Sequence, residues 1–521
     1  MIQMLRDKTK NRTVIFSCTA FLLLAHLYRW TNEMFNHDSL LIYQWDHGWQ
    51  ISLGRIFNPV YLMIRGKIAA PLLVAVLGGA FLTLSVVVCC HVLSLQKKSS
   101  LVLCAGLLTT FETITFLNAT FLPYFDLFML ALLFAALAAF FLLSREMRPA
   151  FRFLLAVCCG AASLGLYQSY IEVTILLVIL SLLRDLLDGE SARSVFLRGV
   201  YAVAGLLTAG AVYYLCLRLV WSHTGISPEN SYNSLSLMRQ ITAGGIPRRL
   251  VKTWLFPFRY LLRPETAHRR ASSVIHVMLF LFLLWEIFRR LAVRRADAAS
   301  VVLTLFLLGV LPLGCNVVYV LSNGLKHGLM TYSFAFYAVW GVMLYDDPPG
   351  ADPLGLRRWK SIGVSLLCGV LIFNHVIFAN QVYLVEELEA KAGFSFMTRL
   401  VDRMEQTEGY RVGETKVAIL GYIDESPLSH EREKLHIVND NYIGTLHHLA
   451  MSYYDTFEEY FEFILGYPVN IVPLEDLPEL MEDPAVKEMP IFPDPGAVAM
   501  VGDTLVVRLS KDLRPQDMRF R

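Results

Sequence analysis

Apolar runs of membrane-spanning length recur along roughly the first three quarters of the chain, and that repetition constrains the fold more than any single motif. A bilayer core takes roughly 20 apolar residues per helix. Eleven segments answer to this, at about 13–30, 69–95, 101–117, 125–143, 153–168, 171–183, 199–220, 274–292, 298–320, 328–345 and 361–380. In lipid every backbone polar group needs an internal partner, which helices of this length supply. With 55% hydrophobic and only 17% charged residues, a soluble fold is excluded. The expected fold is therefore an α-helical polytopic membrane protein of about eleven transmembrane helices over residues 1–380, followed by a small C-terminal domain over residues 381–521.

Charge divides the chain at the same place. Residues 381–521 hold 26 Asp/Glu against 13 Lys/Arg, although the whole chain is nearly balanced. Upstream, the basic residues cluster at alternate span ends: Arg6, Lys8, Lys10 and Arg12; Lys97 and Lys98; Arg145 and Arg148; Arg184 and Arg193; Arg289, Arg290, Arg294 and Arg295; Arg357, Arg358 and Lys360. The positive-inside rule makes those ends cytoplasmic. An odd span count then puts the N-terminus inside and the acidic tail outside. The loop holding Arg248, Arg249, Lys252, Arg259, Arg263, Arg269 and Arg270 opposes that orientation, and its "PRRLVKTWLFPFRYLL" is expected to lie in the interface as a basic amphipathic helix. All nine cysteines fall inside apolar segments and read as small buried side chains, so neither a disulfide framework nor a Cys-rich zinc site is expected. No small-residue cleavage site follows the first run, which is expected to stay as a span.

The tail opens with a polar helix, Gln381 to Gln406, continuing the last span. Beyond it "KVAIL", "VNIV" and "TLVVRL" have the β-branched pattern of short strands, with helical stretches around Ile443–Met451 and Phe457–Leu465. This predicts a small α/β domain acting as a lid or docking module, since it has neither a Gly-rich phosphate loop nor a metal-ligand spacing.

Candidate chemistry gathers on the outer face. The stretch "FNHDSLLIYQWDHGWQISLGRIFNPVY" crowds Asp38, Asp46, two histidines and Arg55 between two apolar runs, and charges at membrane level are costly and functional by default. Asp46 reads as a solvated loop acid, and Trp45 and Trp49 as interfacial anchors. Asp38 has a counterpart in Asp126, which starts the fourth span in "LPYFDLFML" on the same face; a helix N-cap is the competing reading of Asp126. Two carboxylates beside one cavity suit transfer of a sugar to a hydroxyl, one taking the proton and the other orienting a reactant. Arg55 is placed to grip a departing phosphate through its fork. Lys326 and His327 in "SNGLKHGLM" share that face, although a snorkelling lysine also explains Lys326. Tyr167, Gln168, Tyr170 and Glu172 in "YQSYIE" add aromatic and hydrogen-bonding groups suited to a sugar ring.

The order "HDSL…GR", "YFDLFML", "GLYQSYIEV" and "ANQVYLVEELEAKAGFSFMTRLVDRMEQTEGY" resembles the bacterial GtrII-type glucosyltransferase family over most of the chain. The resemblance implies a GT-C-like membrane glycosyltransferase that moves a hexose, glucose by the family, from a polyprenyl-phosphate carrier to a surface or cell-wall polysaccharide on the outer face. It implies Asp38 as base, Asp126 as second acid and Arg55 as donor-phosphate contact. No metal and no cofactor are expected; the polyprenyl-phosphate hexose is the substrate. The partners implied are membrane lipid, the lipid-linked sugar, a glycan acceptor, and a donor synthase and flippase, with no nucleic acid. Ile56 departs from the aromatic that follows the family's "GR". Two rival classes remain from the residues alone: a transporter or flippase for lipid-linked sugars, and a membrane sensor or scaffold with an extracellular binding tail. The first should show paired repeats and deep charges, whereas these acids cluster at one face.

Overall fold

In the computed structural model, described over residues 7–35, 47–66, 70–228, 245–262, 267–321, 327–346, 353–423 and 454–511, each of the eleven apolar runs carries a helix. The first is α1 (Lys8–Thr31), followed by two short helices, α2 (His47–Ser52) and α3 (Asn58–Arg65). Then come α4 (Pro71–Val92), α5 (Lys98–Thr110), α6 (Glu112–Thr120), α7 (Phe125–Leu143), α8 (Pro149–Leu166) and α9 (Ile171–Leu187). The second half contributes α10 (Ala192–Thr224), α11 (Ile246–Leu262), α12 (Ala267–Val293), α13 (Ala298–Gly314), α14 (Val317–Leu321), α15 (Phe336–Tyr345) and α16 (Leu354–Glu405). Among the described residues, eight stretches are long and apolar enough to cross a bilayer: α1, α4, α5 with α6, α7 with the turn before it, α8, α10, most of α12, and α16. The other three runs form shorter helices, α9, α13 and α15.

Sequence fixes these limits locally. Pro71 and Pro149 start α4 and α8 in the first turn, where a missing N–H costs nothing. Ser191 and Asp297 cap α10 and α13 by accepting from the amides of Ser194 and Ser300. Two expected spans are interrupted. The run at 101–117 breaks at Phe111, whose extended ψ of 145° separates α5 from α6. The run at 298–320 breaks after Gly314, two residues beyond Pro312, and Asn316 in the gap donates to the Thr253 carbonyl of α11 at 3.0 Å.

The outward faces carry exposed Phe16, Leu207, Leu219, Val302 and Phe373, a surface that only lipid would cover without penalty. The inward faces are tied by polar contacts of the kind that hold helices together in hydrocarbon. His26 meets the Tyr383 hydroxyl at 2.7 Å, Trp30 donates to Asn118 Oδ1 at 2.7 Å, and Ser163 and Thr174 donate to the carbonyls of Ala131 and Ala135. The opposite end of the bundle from α7's start is clamped by charge. Glu286 receives Arg289, Arg290 and Lys360, and Asp346 accepts from the amide of Lys97 and the hydroxyl of Ser100.

The 52-residue α16 continues past residue 380 without a break. Its last turns supply Phe396, Met397, Leu400 and Met404 to a second core shared with a four-stranded sheet. The strands are β1 (Lys416–Leu420), β2 (Asn470–Ile471), β3 (Val498–Val501) and β4 (Thr504–Arg508), ordered β2-β1-β4-β3. Strand β1 runs parallel to both β2 and β4, and β3 closes the edge antiparallel to β4. The three expected strands are present; β3 was not foreseen. Of the expected helical stretches, 443–451 lies outside the described residues, and the other begins as Tyr454–Glu459.

Candidate active site

The segment after Trp49 is folded by three features of its sequence. Gly54 adopts φ +84°, a region that L side chains rarely adopt, and a Cβ there would stand 2.5 Å from the Tyr213 hydroxyl. The Gly54 carbonyl accepts from that hydroxyl at 3.0 Å, and Trp221 donates to the Ile51 carbonyl at 2.9 Å, so the segment is pinned to α10. Pro59 then starts α3, which leaves Val60, Met63 and Ile64 exposed and turns Tyr61 and Arg65, one turn apart, toward the start of α7. An apolar face outward and a polar face inward suit a short helix lying at the membrane surface.

Asp126 is the centre of what α3 meets. Its carboxylate is fully buried, with the Tyr61 hydroxyl donating at 2.8 Å, Arg65 Nε at 3.2 Å and the Leu127 amide donating at 2.8 Å. The Arg65 side chain is only 2% exposed and also donates to the Pro123 carbonyl at 3.2 Å. A buried carboxylate needs such a partner, because an unpaired charge there would cost several kcal/mol. Burial, then the Asp126 charge, pushes the Tyr61 phenol far up, so it stays a proton donor. The N-cap reading of Asp126 does not hold: Tyr124 is the cap residue of α7, and the Asp126 side chain reaches across to α3 instead.

Arg55 stands one turn before α3. Its guanidinium carbon lies 5.1 Å from the centroid of the Tyr167 ring, and Nη1 donates to Gln50 Oε1 at 3.2 Å, an oxygen shared with Asn58. Nε of Arg55 is buried with no hydrogen-bond partner. Tyr167 packs edge-on against Phe128 at 4.6 Å between centroids, which links this group to α7. Gln168 donates to the Leu53 carbonyl at 2.9 Å and to Tyr213 at 3.1 Å, so it braces the Arg55 segment. His327 is half-buried close enough for Arg55 to act on it: burial first, then that positive charge, holds its pKa below the ordinary value and the ring neutral at pH 7.

The structure thus brings Arg55, Tyr167 and Gln168 together, with Asp126 beyond Phe128 on the adjoining helix and His327 within reach of the Arg55 charge. Glu172 stands apart from them. It is buried below the turn and accepts from the Val318 amide at 3.0 Å and the Ser333 hydroxyl at 3.2 Å, tying α9 to α14 and to the turn before α15. Asp38 and Lys326 lie outside the described residues. Tyr61 and Arg65 are the residues that reading the sequence missed, and their four-residue spacing in "NPVYLMIRG" was the available signal. Among the described residues no group of three or more His, Cys, Asp or Glu could hold a metal ion.

No curated protein and no solved structure matches the chain. The family model described as Glucosyl transferase GtrII matches residues 27–345, a range that takes in α3, Asp126, the Gln168 turn and His327 and ends with α15, before the tail. That is more than half of the chain, which therefore belongs to the GtrII glucosyl transferase family.

Proposed function

We propose that this membrane glucosyltransferase takes glucose from a polyprenyl-phosphate carrier and passes it to a hydroxyl of a surface or cell-wall polysaccharide on the outer face, in the manner of GT-C enzymes. The observation that carries the reading is the membrane-level group in which buried Asp126 is clamped by Arg65 and Tyr61 beside Arg55 on its Tyr167 platform. In the proposed step the acceptor oxygen bonds to the anomeric carbon as the bond from that carbon to the phosphate oxygen breaks. The acceptor proton goes to the Asp38 carboxylate, and the electron pair leaves on the phosphate. Asp126, whose oxygens are already engaged, orients α3 rather than accepting the proton. Arg55 receives the phosphate charge, His327 and Lys326 are proposed to assist it, and Gln168 holds the Arg55 segment in place. No metal or cofactor enters the proposal. A donor synthase and flippase would supply the lipid-linked sugar from the other leaflet.

Arg55→Lys tests the phosphate role. Lysine keeps the charge but loses the planar fork and its seat on Tyr167. Transfer from polyprenyl-phosphate glucose should fall by about 10²-fold, the scale on which one stabilising donor acts, while the amount of folded protein is unchanged. Full activity in Arg55→Lys removes this residue from the site. The orientation is tested separately: a tag after Arg521 should be cleaved by protease added to intact spheroplasts, and a protected tag refutes an outward-facing tail.

The breaks at Phe111 and after Gly314 are the features among the described residues that favour a transporter, because discontinuous helices often line transport sites. A transporter moves the lipid-linked sugar without cleaving it. Release of free polyprenyl phosphate from the purified protein separates the two readings.

A further inference from the structure

At the end of the bundle opposite Asp126, the end of α9, the start of α10, the end of α12 and the start of α13 enclose a concave pocket of about 490 Å³. Arg193, Arg290, Arg294 and Arg295 line it, against Glu190 and Asp297. Part of this charge is committed. Arg290 is buried against Glu286 at 2.7 Å, and Glu190 faces Arg145 and Arg198 at 2.5 Å. Arg193, Arg294 and Arg295 remain exposed around the cavity, with Asp297 turned to cap α13. The positive-inside rule accounts for basic residues at such an end. It does not account for where Arg295 stands.

Arg295 has φ +48°, and among the described residues only it and Ser94 adopt a positive φ without being glycine. Its amide bonds to the Ala292 carbonyl at 3.2 Å, and that of Ala296 to Leu291 at 3.0 Å, the pairing by which a helix ends in one left-handed residue. Glycine takes that residue without strain. On the facing rim α9 ends in the same pairing, and there the residue is Gly189 at φ +89°. Ser94 ends α4 in the same pairing away from this pocket, so the strain alone marks no site; at Arg295 it comes with a side chain that lines the pocket.

We propose that this pocket binds a phosphate group, gripped by Arg193, Arg294 and Arg295, carried either by an anionic lipid headgroup or by a soluble phosphate. The volume exceeds a lone phosphate and leaves room for a glycerol or a second phosphate. The site is separate from the sugar-transfer chemistry and stands whether or not the proposed reaction is correct.

Native mass spectrometry of the full-length protein in a neutral detergent gives the test, with phosphatidylglycerol, diacylglycerol of the same chains, and pyrophosphate as probes. Phosphatidylglycerol should bind and diacylglycerol should not; saturating pyrophosphate should displace the lipid if the pocket reads phosphate alone, and leave it in place if it reads the lipid. Either result supports the site and assigns its source. Arg295→Gly relieves the backbone strain, so it should fold at least as well as the parent while weakening phosphatidylglycerol several-fold. Adding Arg193→Gln and Arg294→Gln should weaken it tenfold or more. Arg358→Gln, an exposed arginine at the same end, is the charge control and should leave affinity unchanged. Undiminished binding in the triple variant, an equal loss in Arg358→Gln, or equal binding of diacylglycerol overturns the proposal.

Discussion

Replacing Asp126 by Asn is expected to destabilise the protein by about 3–5 kcal/mol, the cost of leaving a buried charge without its partner. Arg65, its side chain 2% exposed, would keep the Pro123 carbonyl and lose its only counter-charge among the described residues. The pair Arg65→Met with Asp126→Leu removes both charges. Replacing a buried ion pair by apolar residues of similar volume is often neutral or stabilising, so this double variant should regain most of the stability lost by Asp126→Asn. Transfer should remain lost in both, because α3 would no longer be oriented toward the Arg55 group. The two readouts are a thermal midpoint in detergent and glucose transfer at matched amounts of folded protein. A double variant that is both stable and active would make Asp126 a packing residue only.

Asp38→Asn carries the second large effect. The amide keeps the shape and hydrogen bonding of the carboxylate but cannot take the acceptor's proton, so transfer should drop by roughly 10² or more, the scale of losing a general base. Insertion and expression should be normal, because one polar residue is exchanged for another of the same shape. Asp46→Asn in the same stretch is the matched control and should cost little. An inactive Asp46→Asn beside an active Asp38→Asn would reassign the base. Activity in both would take catalysis away from this loop.

The bundle was legible because the length of an apolar run directly reports a span. The breaks at Phe111 and after Gly314 were not, since a turn inside an apolar run leaves hydropathy unchanged and is set by backbone angles and by partners such as Thr253. In the tail, "KVAIL" and "TLVVRL" announced β1 and β4 by their β-branched residues, whereas β3 spells "VAMV", too short and too mixed to stand apart from a loop. The site was half legible. Charge at a membrane face picked out Arg55 and Asp126, and the structure set Asp126 against α3 and Arg55 against Tyr167. Arg65 was passed over because its meaning depends on α3 folding back beneath Pro123, a tertiary contact that no local pattern encodes. Glu172 was read as facing a sugar for the converse reason: polar residues in an aromatic turn suggest a site, yet this one is spent on the Val318 amide and Ser333.

Incubating the purified full-length protein with polyprenyl-phosphate glucose and its glycan acceptor, beside a nucleotide-linked glucose as the competing donor, tests the central claim most directly. The account predicts that glucose passes to the glycan from the lipid donor alone, with one polyprenyl phosphate released per sugar transferred and no requirement for a divalent metal. Transfer from the nucleotide sugar instead, or movement of intact lipid-linked glucose across the bilayer without release of polyprenyl phosphate, would contradict it.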